Sequence, residues 1–543
     1  MVRFFEFLRE NIAFWWCKIS RFLSVILRVR CQVHYMGFFL QYRSFHYRCC
    51  VQHIVLQFLR NRVYFRRQTG KIDCMNNYLN QLQKTYQNDD DFTTRQVDCG
   101  MPLTLCFLDS MCSDIKISNY VVEPLTYGEK ATDFECIKKR LTTGAIVKEP
   151  ANFFDVLDVI SNGYTVILSE QNCIAVDTRT TLARAIIEPP TSMVMRGPRE
   201  GFIEDAKTNL TLIRKRLKTA DLKVTTLNVG KYTNTTVFVC YLSSIAEKKV
   251  VDEVVQQVQK INIDGVLDAS YLSRYIDKNK TALFRRVGMT EKPDVAVGKM
   301  LEGRVALIVD GSPMVLTVPY LYVEDLQSPG DYYEDNTMTS LNRILRFISV
   351  LASVLLPSLY VCLQMYNYQI IPLKFLITVL NSTQAIPFSP LAEMILIIVI
   401  FDILREANLR MPSAVGISLS LVGAIVLGDA AVKAGLIGAP AVMIGALSGI
   451  GLFTMPDNTL ILSLLRLVIT YIAGVMGILG VILSMMVILF YLCSMQEYHT
   501  PFLAPFTPTM DNDKQDAVLN KPLVSWKKRP KSIPNKNTTR RGQ

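Results

Sequence analysis

From Leu341 to Met495 the chain is almost continuously apolar, and its runs have the length of membrane spans. A helix of ~20 apolar residues matches the ~30 Å hydrocarbon core of a bilayer. The pattern predicts a first span over Ile344–Gln364. Two shorter segments follow: Ile370–Leu380, with Pro372 and Lys374 inside it, and Leu391–Leu404, which carries Glu393 and stops at Asp402, Arg405 and Glu406. Ala414–Val432 and Ala439–Phe453 are better spans. Leu460–Met495 is broken only by Arg466 and is too long for one untilted crossing. We expect four to six crossings, with residues 370–405 partly re-entrant or interfacial.

Ahead of this region short β-rich runs alternate with helical patterns. The runs are 104–109, 164–170, 173–179, 236–242, 304–311 and 314–319, and helices are expected over 152–163 and 250–261. In the latter Val251, Val254, Val255, Val258 and Ile261 recur at the three-to-four-residue spacing of an amphipathic helix. Asp310-Gly311 between two apolar runs signals a hairpin. The fold class expected is an α/β cytoplasmic domain with a mixed sheet in two lobes, followed by an all-α multi-pass transmembrane domain. Its bounds are a polar, loose lead-in over 75–100, the α/β domain over 101–340, the membrane domain over 341–495 and a basic cytoplasmic tail over 496–543.

Charge changes how residues 1–74 are understood. The net charge of the chain is +12, yet residues 1–72 hold thirteen Lys/Arg against Glu6 and Glu10, which leaves +1 for all the rest. A nucleic-acid partner for the whole chain loses its support. The segment has no proline and holds three of the four histidines. It reads as a basic, aromatic membrane-surface stretch, as a transit peptide, or as translation from upstream of a natural start at Met75, and the compositional break favours the last. Lys/Arg beside the span ends (Arg343 and Arg346 before the first, 526–529, Arg540 and Arg541 after the last) place the α/β domain and the tail on the cytoplasmic side, which requires an even number of crossings.

Candidate chemistry is sparse. The remaining nine cysteines are scattered without metal spacing, phosphate-loop and hydrolase motifs are absent, and His499 is the one histidine beyond the N-terminal segment. No enzyme activity, cofactor or metal is expected. The most distinctive stretch is MRGPREGFIEDAKTNLTLIRKRLK (195–218). Ile203, Ala206, Leu210, Ile213 and Leu217 make an apolar stripe, with Glu204 and Asp205 in the first turn and Arg214, Lys215, Arg216 and Lys218 in the last, which suits the helix dipole. Arg196 and Arg199 crowd beside Glu200 into a turn made by Gly197, Pro198 and Gly201, an arrangement suited to an anion or a partner's carboxylate.

Ionisable groups within the membrane are costly and default to functional candidates. Glu393 and Arg466 are the deepest, with Glu393 the preferred pore or relay residue, and Asp429 and Lys433 are spaced to pair. Small residues repeat every four positions at Ser420, Ala424 and Gly428 and at Ala441, Gly445 and Gly449, with a third series at Gly474, Gly477 and Gly480. Such faces let helices approach closely, within one subunit or around a shared axis.

The stretches VMRGPREGFIEDAKTNLTLIRKRLK, INIDGVLDASYL, KPDVAVGKMLEGRVALIVDGSPMVLTVPYLYVEDLQSPGDYYED, AIPFSPLAEMILIIVIFDILREANLRMP, GAIVLGDAAVKAGLIGAPAVM and PFLAPFTP occur in one order over residues 140–530. Together they resemble the A subunits of GerA-type spore germinant receptors, and residues 1–74 match nothing in that family. The resemblance implies a protein of the spore inner membrane, the conducting subunit of a nutrient-gated ion channel, assembled as a homo-oligomer in membrane lipid. It also implies a transporter-like B subunit that binds the nutrient and a C-subunit lipoprotein. A secondary transporter and a membrane-tethered signalling protein are the competing classes; the first calls for paired broken helices, of which only 370–405 offers one.

Overall fold

The computed structural model describes residues 76–127, 134–142, 144–169, 172–180, 196–277, 282–383, 386–410, 429–511 and 513–540, with the isolated positions 189, 194 and 423. The N-terminal segment to residue 75 lies outside them, as does most of the span expected over Ala414–Val432, with Gly428.

Two lobes precede the helical region. In the first, strands β1 (Phe92–Asp98), β2 (Pro102–Leu108), β3 (Val147–Lys148), β4 (Tyr164–Leu168) and β5 (Cys173–Asp177) make one sheet in the order β1-β2-β4-β5-β3. In the second, β6 (Leu222–Val229), β7 (Thr235–Leu242), β8 (Gly288–Thr290), β9 (Val305–Val309) and β10 (Val315–Val318) are ordered β6-β7-β9-β10-β8. Every pairing in both sheets is antiparallel, which corrects the expected mixed sheet.

The physical reason lies in burial on two faces. Val305, Leu307 and Val309 of β9 pack with helices α5 (Lys248–Gln259) and α6 (Ala269–Ile276), while Ala306 and Ile308 face α4 (Ala206–Arg216) and α7 (Pro293–Met300). A strand covered by helices on both sides reads as a continuous apolar run, the habit of parallel sheets, whatever its partners' direction. The turn at Asp310-Gly311 joins β9 to β10 as expected, with Gly311 at φ +81°. The first lobe repeats the three-layer plan, with α1 (Asn76–Thr85) and α3 (Phe153–Ser161) on one face and α2 (Phe134–Thr142) with the 114–126 helical segment on the other. The supposed loose lead-in is therefore structured: Leu82 and Tyr86 are buried in the first core, and β1 closes an edge of its sheet.

The lobes meet through charge. Arg214, at the last turn of α4, is buried and reaches Asp89 at 3.0 Å and Asp91 at 2.6 Å, both at the start of the first lobe. Thr211 Oγ1 donates to the Ser110 carbonyl at 2.5 Å, and the Asp90 and Thr226 amides bond across the same junction. Burial pushes the Asp89 carboxyl above its usual range, an effect that Arg214 opposes. Periodicity gave Arg214 a role only toward the helix dipole.

Among the described residues five longer helices follow: α8 (Asn336–Met365), α9 (Leu373–Thr383), α10 (Pro390–Arg410), α11 (Ala439–Leu452) and α12 (Thr459–Ser494). Among the described residues, Asn336–Met365 and Pro456–Ser494 are long and apolar enough to cross a membrane, and Ala439–Leu452 is a shorter apolar helix. The over-long last run is broken at Gly477, whose φ of +63° only glycine adopts without strain. Tyr366 packs on that glycine and its hydroxyl donates to the Gly474 and Val475 carbonyls at 2.8 and 3.0 Å.

The segment after Met495 is more than a basic tail. Tyr498 is buried in the second lobe, donating to the Ile276 carbonyl at 3.0 Å, and Phe502 packs with Phe284 and Tyr322. Asp516 then meets Arg343 of α8 at 2.8 Å, and Asn520 bonds Ser340. Both ends of the helical region thus return to the second lobe.

Candidate functional site

The Gly/Pro turn of the sequence motif is built into the second lobe. Asp205 caps α4, accepting from the Thr208 amide at 2.7 Å, and the Ala206 amide reaches Asp310. Gly197 has φ +115° and lies under the Tyr333 ring, so a Cβ there would stand 2.5 Å from the ring. Pro198 offers its carbonyl to Lys292 Nζ at 2.8 Å. Glu200 pairs with Arg216, and the Glu204 carbonyl accepts from the Gly311 amide at 2.8 Å. The Gly201 backbone is buried, whereas Arg196 and Arg199 reach the surface. The turn therefore locks α4, the β9–β10 hairpin and Tyr333 together, a few residues before α8 begins.

The second constellation lies among the helices. Pro357 interrupts α8 without ending it. A proline lacks the N–H that would satisfy the carbonyl four residues earlier, here that of Ser353. Ser448 of α11 supplies the missing donor, its hydroxyl bonding the Ser353 carbonyl at 2.5 Å. Arg466 of α12 donates in turn to Ser448 Oγ at 3.1 Å and to Asp402 of α10 at 3.0 Å, and Ser463 also bonds Asp402. Arg466 is 1% exposed and Ser448 is fully buried. One continuous polar chain thus ties α8, α10, α11 and α12. Such a node holds in apolar surroundings because its members bond one another, although Arg466 Nε is left without a partner in it.

Of the residues singled out from sequence, Arg466 is at the centre of this node and Glu393 is apart from it. Glu393 is 1% exposed and accepts the Gly438 amide at 2.5 Å, which places a carboxylate at the N-terminus of α11. Asp429 and Lys433 form the pair their spacing suggested, at 2.7 Å and exposed. The small-residue series divides: a Cβ on Gly445 would collide with Ile397 of α10, whereas one on Gly449 would meet nothing within 4 Å. Ser448, Ser353 and Pro357 escaped the sequence reading, and Asp402 figured in it only where a span stops. A proline in mid-span, facing a serine on another apolar helix, was the available signal.

No group of three or more His, Cys, Asp or Glu able to hold a metal occurs among the described residues. A cavity of about 340 Å³ opens where the second lobe, the segment leading into α8 and the C-terminal segment meet, with Lys299, Arg304, Tyr320, Tyr332 and Trp526 in its wall. Glu324 in the same wall is buried and held below the usual carboxylate range by Arg304 and Lys299 against the cost of desolvation, and Arg304 bonds it at 2.8 Å. Its charges are largely spent on one another.

These features define a class: a two-lobed α/β domain joined to a helical region with two helices able to span a bilayer and a buried charge pair among them. The model of the Bacillus/Clostridium GerA spore germination protein family matches residues 80–532, and the chain belongs to that family. It is 31% identical to spore germination protein KA of Bacillus subtilis (strain 168), over 85% of this chain and 87% of that protein. It is 30% identical to spore germination protein B1 of the same organism, over 84% and 96% respectively, and 33% identical to spore germination protein GerQA of Bacillus cereus, over 69% and 76%. The crystal structure of the N-terminal domain of the A subunit of the Bacillus megaterium spore germinant receptor GerK3 is similar over 45% of this chain and 94% of that one, with 24% identity and a TM-score of 0.36. The relatives tie the chain to spore germination.

Proposed function

We propose that this chain is the A subunit of a germinant receptor and its oligomeric, ion-conducting part, opening when a nutrient is sensed and so starting germination. A transporter-like B subunit and a C-subunit lipoprotein are its partners in the spore inner membrane, with the two lobes and the C-terminal segment on the cytoplasmic side. The observation that carries conduction is the pair between buried Arg466 and partly buried Asp402, linked through the Ser448 hydroxyl of α11 to the Ser353 carbonyl of α8. Keeping an ion pair among apolar helices costs several kcal/mol that aliphatic packing would avoid. A structural role alone gives no return for that cost, whereas a gate that rearranges does. Glu393 anchors α11 against α10 in this reading, and the open Gly449 face belongs to the contact between copies. Both ends of the helical region meet the second lobe, which fits an even number of crossings.

The test uses spores whose germination depends on this chain. Arg466→Gln is expected to leave the protein in the membrane and to change nutrient-triggered release of monovalent cations by tenfold or more, since removing one partner of a buried pair costs about 3–5 kcal/mol. Release at the original rate, together with monomeric particles of the purified chain under the electron microscope, overturns the reading.

A further inference from the structure

Residues 521–540 contain seven Lys/Arg and no acid. Few of these charges are neutralised by the fold. Arg529 is buried and spends its guanidinium on the Leu301, Asn537 and Thr539 carbonyls. Arg540 stacks on Trp526 and meets Glu302 only at 3.7 Å. Lys521, Lys527, Lys528 and Lys531 are exposed and make no ion pair among the described residues. Desolvation and the neighbouring Arg540 pull Arg529 below its usual range, with Glu302 opposing them. The fold thus gathers like charges, with Glu302 the one acid set against Arg529 and Arg540 and the four exposed lysines left without an ion pair among the described residues.

Two apolar side chains stand among the lysines. Val524 is 73% exposed and Leu519 is 57% exposed. Their place in the molecule is fixed by α8: the Asn520 amide bonds Ser340 Oγ at 2.9 Å, and Trp526 packs edge-on to Tyr332, which precedes α8 by a few residues. The apolar stretch of α8 starts here, with Leu341 and Leu345 half exposed. Basic residues interleaved with exposed aliphatics, beside the first turns of a spanning helix, are what a surface needs to lie on lipid headgroups with its apolar side chains dipping between them.

We propose that residues 519–540 form a docking surface for anionic, phosphate-bearing lipid headgroups of the membrane leaflet that faces the two lobes. The inference rests on the reading of α8 as a membrane span. Lys521, Lys527 and Lys528 meet the phosphates, and Val524 and Leu519 enter the headgroup layer. Docking holds the C-terminal segment against α8 through the Arg343–Asp516 pair, so the composition of the leaflet is felt at the joint between lobe and span.

Hydrogen exchange of the full chain tests this in vesicles of phosphatidylcholine alone and of phosphatidylcholine mixed with phosphatidylglycerol. Amides of 519–540 are expected to exchange at least roughly threefold more slowly in the anionic vesicles. High salt, and the variant Lys521→Gln/Lys527→Gln/Lys528→Gln, should abolish that difference. Equal exchange in both vesicles, with α8 amides protected, overturns the proposal. Slowing of the same size by inorganic phosphate in neutral vesicles overturns the assignment to lipid. Unprotected α8 amides, with no flotation of the chain with the vesicles, overturn the membrane reading on which it rests.

Discussion

Arg214→Met leaves Asp89 and Asp91 between the lobes without the cation that bonds them both, with Lys223 the positive charge that remains near Asp89. Both acids are over nine-tenths buried, and the arginine reaches them at 3.0 and 2.6 Å. Breaking a buried pair by removing one partner costs about 3–5 kcal/mol, because the other charge stays behind. For a region of this size ~1 kcal/mol moves the midpoint by roughly 2–4 °C, so a fall of roughly 6–20 °C is expected in thermal unfolding of the purified chain. The sign with pH is fixed. The Asp89 carboxyl already titrates above its ordinary range through burial, and losing the arginine raises it further. An acid whose folded value is raised carries its full cost above that value and sheds it as pH falls toward the unfolded value, so the deficit should shrink as pH falls from 7 toward 5. Adding Asp89→Asn and Asp91→Asn to Arg214→Met should recover more than half of the loss. A fall below about 1 kcal/mol, or a triple variant less stable than the single one, would refute the reasoning.

Two further expectations concern other parts of the molecule. Gly445→Leu should destabilise the helical region by about 1–3 kcal/mol through collision with Ile397, whereas Gly449→Leu should leave the melting of the protomer unchanged and shift native-gel bands toward smaller species. Asp325, pushed up to about 6 by desolvation, with Tyr320 Oη donating to it, carries its full cost in stability above that pH, and the cost fades only as pH falls toward the unfolded value of ~4. Asp325→Asn should therefore raise the midpoint at pH 7.5, and the gain should shrink to about a third by pH 4.5; a gain of equal size at both values would contradict this assignment.

Sequence determined those features that depend on neighbours along the chain. The runs at 104–109, 164–170, 173–179, 236–242, 304–311 and 314–319 hold strands β2, β4, β5, β7, β9 and β10, because β-branched and aromatic residues bounded by turn signals suffice to mark them. The Asp310-Gly311 turn and the Asp429–Lys433 pair are equally local, whereas Asp205, expected in the first turn of α4 with Glu204, is the residue that caps it. Strand direction was not available: a strand buried on both faces loses the alternation that separates an antiparallel sheet from a parallel one, and β9 has no exposed residue. Helix 76–85 was hidden by its polar composition, since only Leu82 and a few neighbours face the core. The partners of Arg214 lie 123 and 125 positions earlier, and those of Arg466 beyond its own helix lie on two others, α10 and α11. Nothing in their spacing announces them. Sequence could say that a charge in an apolar run must be paired; only the tertiary structure decided which carboxylate, and that a proline's missing N–H would bring a serine into the same chain of bonds.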